Sequence, residues 1–132
     1  MKNLGIWIDK GKARIVKFND ELVQFSTIKS DIDNYHITAN KTLGGALEVM
    51  KDRKFLEREK HQIKSFFKAI IPEIGDANAI VIFGPAQMRD KFKKELDENY
   101  KRISSNVKGV IKSNKMTDNQ LKAWVRDFFE SN

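Results

Sequence analysis

Cysteine is absent from this 132-residue chain, and histidine occurs only at His36 and His61. The first absence removes disulfides, thiolate metal sites and cysteine nucleophiles together, and it suits a reducing compartment. The second leaves too few imidazoles for a histidine-based metal site and no Ser-His-acid constellation, so neither a metal nor a cofactor is expected. Long apolar runs are missing as well. Met1 to Asp9 holds an apolar stretch too short for a signal-peptide core and broken by Asp9, and no run approaches membrane-spanning length. A soluble, cytoplasmic protein with no membrane partner is the expectation. No repeat, linker or low-complexity segment divides the sequence, and its length suffices for one core, so residues 1–132 read as a single domain.

Positive charge is what the chain has in excess, with 25 Lys and Arg against 18 Asp and Glu, a net charge of +7 and a pI near 9.6. That exceeds what solubility needs and suggests an anionic partner. A lysine-rich surface is equally compatible with plain solvation, so the placement of the charges has to decide.

Alternation over Leu4, Ile6 and Ile8, the turn Asp9-Lys10-Gly11-Lys12, and a second alternating run from Ala13 to Phe18 predict a β-hairpin. After Asn19-Asp20-Glu21, Leu22 to Ile28 predicts a third strand of the meander. Lys29 to Met50 lacks a sustained period and reads as a long loop containing Gly44-Gly45. From Lys51 to Gly75 the period is helical, with Phe55, Ile63, Phe66, Ile70 and Ile74 on one stripe widened by Leu56, Phe67 and Ile71, and Pro72 bending or ending the last turn. Ala79 to Phe83 is wholly apolar, as a strand buried on both faces would be. Pro85 to about Asn99 reads as a helix with Met88, Phe92 and Leu96 buried, Ser104 to Ile111 as a weaker strand, and Thr117 with Gln120 as the capping box of a last helix. The order β-β-β-loop-α-β-α-β-α predicts an α/β protein with a mixed five-stranded sheet covered by helices.

On a helical wheel Lys54, Arg58, His61 and Lys68 lie opposite the Phe/Ile stripe, with Lys51 and Lys64 at the margins. With Lys41 in the adjoining loop, these form a candidate phosphate-binding ridge. Glu57 and Glu59 interrupt it, so a salt-bridged, solvated face is the competing reading. Asp9 stands where a catalytic acid would sit at the end of a first strand, yet metal catalysis needs further carboxylates, and the strand ending Phe83-Gly84 supplies none. Asp9 is therefore read first as a turn residue. Gly84-Pro85-Ala86-Gln87 joins a strand to a helix, a place where backbone N–H groups can meet phosphate, or simply a tight turn. Trp7 and Trp124 fall on apolar patterns and read as core, while Tyr35 is the better base-stacking candidate.

The opening hairpin LGIWIDKGKARIVKF, the Gly44-Gly45 loop, the helix KFLEREKHQIKSFFKAI, the segment AIVIFGPAQMRDKFKKEL and the closing SNKMTDNQLKAWVRDFF together resemble a known family. It is the middle domain of archaeal and eukaryotic class-one translation release factors, shared with the ribosome-rescue factor Pelota and with bacterial stand-alone relatives. The resemblance implies a ribonuclease H-like, three-layer α/β/α sandwich and a ribosomal RNA, tRNA or ribosome partner. In release factors a Gly-Gly-Gln loop tip assists ester hydrolysis at the peptidyl transferase centre. The matching place here reads Gly44-Gly45-Ala46, so the resemblance does not extend to peptide release. Three expectations follow: an RNA-binding, ribosome-associated domain; a metal-dependent nuclease or phosphate-processing enzyme centred on Asp9; and a protein-interaction or oligomerisation module using a sheet edge.

Overall fold

The computed structural model describes residues 2–32 and 45–131, and among these the side chains of all but 45–53 and 55. Its strands are β1 (Lys2–Ile8), β2 (Lys12–Asn19), β3 (Leu22–Lys29), β4 (Ala79–Gly84) and β5 (Val107–Lys112). The helices are α1 (Gly45–Ile74), α2 (Met88–Asn99), the single turn α3 (Lys101–Ser104) and α4 (Asp118–Ser131). The strands form one mixed sheet in the order β3-β2-β1-β4-β5. The first three pair antiparallel, and β4 and β5 run parallel to β1. This is the mixed five-stranded α/β sheet that the order of elements predicts.

Side-chain alternation divides the core between the two faces of the sheet. Leu4, Ile6, Ile8, Ala13, Ile15, Ile80 and Ile82 pack against Phe66, Phe67, Ile70 and Ile74 of α1 and Met88, Phe92 and Leu96 of α2. Trp7, Val16, Val81 and Phe83 meet Leu121 and Val125 of α4 on the other face. The result is three layers. Gly5 allows α4 to settle closely, because a Cβ built there would stand 2.3 Å from Val125 Cγ2. Trp124 of α4 stacks on Phe83 at 4.0 Å between ring centroids, and Trp7 Nε1 donates to the Asn114 carbonyl at 3.2 Å, so both tryptophans belong to the fold. Arg14, reaching from β2, donates to the Met116 carbonyl and pairs with Asp118, which fixes the approach to α4. The capping box forms in both directions: Thr117 N donates to Gln120 Oε1 at 2.9 Å, and Gln120 N to Thr117 Oγ1 at 3.2 Å.

Three boundaries differ from the sequence reading. The loop predicted over Lys29 to Met50 gives up its last six residues to α1, which already begins at Gly45, and residues 33–44 of it lie outside the described residues. Ala46, Leu47, Glu48 and Met50 are strong helix formers, and their propensity extends the helix upstream of the stripe. Ser104 is not a strand residue but closes α3, whose position is clamped when Asp97 accepts from Lys93 Nζ at 2.5 Å and from the Ser104 hydroxyl. Those bonds hold the Asp97 carboxyl below its ordinary range. Finally, α2 starts at Met88, three residues beyond Pro85. Pro72 does lie in the last turn of α1, and Gly75 follows it at φ 56°, the left-handed value that stops a helix.

Candidate nucleic-acid interface

The geometry of the candidate surface follows from a mismatch in length. At 1.5 Å per residue, the 30-residue α1 is about 45 Å long. The seven-residue β1 beneath it spans only about 23 Å at roughly 3.3 Å per residue. Ion pairs fix how the two align. Glu73, near the C-terminal end of α1, lies 3.8 Å from Lys17 of β2, whereas Glu59 lies 3.3 Å from Lys10 in the β1–β2 turn. The helix thus runs antiparallel to β1 and has passed the end of that strand by Glu59. The turns from Gly45 to Glu59, about 21 Å of helix, project beyond it.

Leu56 shows what projection does to a side chain. It shares the helical face of Ile63 and Ile70, yet it is 57% exposed, correcting its assignment to the packed stripe. At its level no strand among the described residues lies underneath. It lines an open cleft of about 540 Å³ with Glu57, Glu59, Lys60, Ile63 and Lys91. Phe55, also assigned to the stripe, has its side chain outside the described residues.

Lys54, Arg58, His61, Lys64 and Lys68 are all exposed along the outward side of α1. From Lys54 to Lys68 they cover about 21 Å of helix. Glu57 is exposed among them, so the ridge carries mixed charge with a positive balance, while Glu59 is largely enclosed and turned to Lys10. Lys51 belongs to the same helix, but its side chain lies outside the described residues. Lys41 and Gly44, together with Tyr35 and His36, lie outside them altogether. Gly45 and Ala46, read as a loop tip, are instead the first two residues of α1.

At the same end of the sheet, the β1–β2 and β4–α2 turns stand side by side, because β1 and β4 are parallel neighbours. Asp9 Oδ1 accepts from the backbone N–H of Gly11 at 2.8 Å and of Lys12 at 2.9 Å, so the carboxylate is a turn-former. Among the described residues no group of three or more His, Asp or Glu side chains is placed to hold a metal ion. Gly84 is obligatory: at φ 158° its Cβ would lie 2.2 Å from the Ile8 carbonyl oxygen. The turn after it is closed by Arg89, whose guanidinium donates to the carbonyls of Gly84 and Ala86. Gln87 makes no side-chain capping bond to α2.

Sequence reasoning missed Lys10, Lys60 and Lys91, the cations at the foot of the projecting helix. Lys10 sits in a hairpin turn and Lys91 in the first turns of α2, about 80 residues apart in sequence. Only the parallel pairing of β1 with β4 brings their elements together, and no local pattern carries that pairing. Among the described residues no helix is long and apolar enough to cross a membrane.

The sequence matches no family model and no curated protein. The fold, however, is found in solved structures. The Pelota protein of Thermoplasma acidophilum superposes over 96% of this chain at 18% identity and a TM-score of 0.56, and Pelota of Archaeoglobus fulgidus over 96% at 12% and 0.56. An archaeal translation termination factor, aRF1, covers 92% at 13% identity and a TM-score of 0.54. The chain spans about a third of the length of each of these proteins (31–32%). Its fold is that of one portion of Pelota and of an archaeal termination factor, as the sequence resemblance implies.

Proposed function

We propose that this chain is a translation-associated RNA-binding domain that docks on ribosomal RNA or tRNA in the cytoplasm through the outward ridge of α1, without hydrolysing peptidyl-tRNA. The observation that carries the reading is the ridge itself: Lys54, Arg58, His61, Lys64 and Lys68 stand exposed on a helix whose first half projects past the sheet. A rod of this kind can enter a groove or cleft of folded RNA while the sheet stays outside, and its cations can replace the counterions of the phosphates it meets. The fold shared with Pelota and a translation termination factor makes ribosomal RNA and tRNA the favoured targets. Ala46, where the resemblance would require glutamine, is the reason to separate binding from peptide release.

The test is co-sedimentation with ribosomes and tRNA binding at low salt. The wild-type chain should bind, the Lys54→Glu, Arg58→Glu, Lys68→Glu triple variant should not, and neither should release peptide from a peptidyl-tRNA substrate. Unchanged binding by the triple variant sinks the reading of the ridge. Peptide release would sink the separation from hydrolysis.

A further inference from the structure

β3 is the outer strand of the sheet: β2 pairs with it on one side, and among the described residues no strand lies on the other. Exposed edges are commonly blunted by proline, a bulge, a charge or extreme shortness. β3 has eight residues in unbroken register with β2, from Leu22 opposite Asn19 to Lys29 opposite Lys12, with no proline and no charge from Leu22 to Ile28. It also carries two large exposed apolar side chains, Leu22 at 67% and Phe25 at 47%. Ser26 has an enclosed hydroxyl oxygen with no hydrogen-bond partner.

The two-residue turn Asp20-Glu21 decides which backbone groups face outward. Asn19 and Leu22 close that turn as a bonded pair. Alternation then aims the N–H and C=O of Leu22, Gln24, Ser26 and Ile28 at β2, and those of Val23, Phe25 and Thr27 away from it. The bond from Ser30 N to the Gly11 carbonyl at 2.9 Å continues the same alternation.

We propose that β3 pairs antiparallel with β3 of a second copy of this chain, about a two-fold axis through Phe25, so that the two sheets become one. A two-fold axis normal to the sheet keeps each face on its own side, so outward-facing residues must pair with outward-facing residues. Centred on Phe25, the register sets Phe25 against its own copy and Val23 against Thr27 of the second copy. It sets the exposed Leu22 against Ile28, Ser26 against Gln24, and Glu21 against Lys29. Symmetry supplies each of these unlike pairs twice. Moving the centre to Gln24 places Leu22 opposite Ser26 and Glu21 opposite Thr27, while moving it to Ser26 places Val23 opposite Lys29. Only the Phe25 register joins opposite charges at both ends and gives Leu22 an apolar neighbour. This charge complementarity of the strand with itself selects a second copy as the occupant.

Sedimentation equilibrium on ribonuclease-treated protein tests the proposal. The wild type should approach twice its 15.3 kDa mass as concentration rises. Phe25→Pro removes an N–H that β2 does not use, and it should remain monomeric with its circular dichroism intact. Glu21→Lys and Lys29→Glu should each weaken association about tenfold, because each sets two like-charge pairs face to face. The double exchange should restore association. A wild type that stays monomeric, a dimer indifferent to Phe25→Pro, or a double exchange no tighter than the single ones overturns the proposal.

Discussion

The close approach of α4 to the sheet at Gly5 lends itself to a quantitative test. Val125 is fully buried directly over Gly5, and a methyl at residue 5 would meet Val125 Cγ2 at 2.3 Å and Cγ1 at 2.9 Å. Ordinary contact begins near 3.4 Å, so Gly5→Ala must lift α4 by about an ångström or twist Val125 off its rotamer. Overpacking of that kind costs about 1–3 kcal/mol, offset in part by roughly 0.5 kcal/mol because alanine restricts the unfolded chain. A net loss of about 1–2 kcal/mol is expected. Val125→Ala removes two buried methyl groups and should cost about 2 kcal/mol through lost transfer energy and the cavity left behind.

In the double variant the new methyl occupies the space the valine vacated. The two losses should then not add: the pair should cost about 1–2 kcal/mol rather than 3–4, a favourable coupling of about 2 kcal/mol. Urea unfolding of the four proteins measures this directly, and each kcal/mol corresponds to a melting shift of about 3–5 °C at this size. Additivity to within about 0.5 kcal/mol would refute the packing of Val125 on Gly5, and with it the placement of α4 over β1.

If the four cations Lys54, Arg58, Lys64 and Lys68 each meet a phosphate, log K should fall with log salt at a slope of about −3.6, and Lys54→Gln, Arg58→Gln, Lys68→Gln should leave about −0.9. At about 0.1 M salt that triple variant should bind RNA roughly 500-fold more weakly, read by fluorescence anisotropy. Thr117→Ala opens the capping box and should cost about 1 kcal/mol in thermal unfolding, with Gln120→Ala adding little in that background. Asp97 is held below the ordinary carboxylate value of about 3.9 by Lys93 and Ser104. A depressed folded value means that its contribution is present above pH 4 and fades as the pH falls below it. The melting temperature of the wild type should therefore drop further between pH 5 and pH 3 than that of Asp97→Asn, as scanning calorimetry would show.

Those sites also mark how far the sequence could be read. The Thr117/Gln120 box, the Ala79 to Phe83 strand and the Phe66, Ile70, Ile74 stripe are legible because each is a local rule: a reciprocal pair of bonds, burial on both faces, a 3.6 period. What fails to show is whatever depends on the pattern stopping or on distant pairing. Gly44-Gly45 and the polar residues upstream obscured six residues of helix, although Ala46, Leu47, Glu48 and Met50 favour it. Ser104 read as the start of a strand, since the single turn Lys101–Ser104 is too short to display a period, and the Asp97 clamp that orders it comes from another element.

The same distinction bears on the candidate interface. A helical wheel tells which residues point away from the stripe, so the outward placement of Lys54, Arg58, His61 and Lys68, with Lys64 at the margin, is legible in the sequence. It cannot tell where the sheet ends beneath the stripe, and Leu56 is inward on the wheel yet exposed in the fold. The described side chains of the projecting turns place Lys54 and Arg58 outward, with Glu57 exposed among them, and Leu56 inward at the cleft shared with Lys60 and Lys91. A helix that served only to cover the sheet would need no turns past the strand ends. Length, rather than charge, is thus the feature that distinguishes α1 from an ordinary solvated helix: Lys54 and Arg58 stand on turns that nothing in the sheet requires, and His61, Lys64 and Lys68 continue the ridge over the sheet.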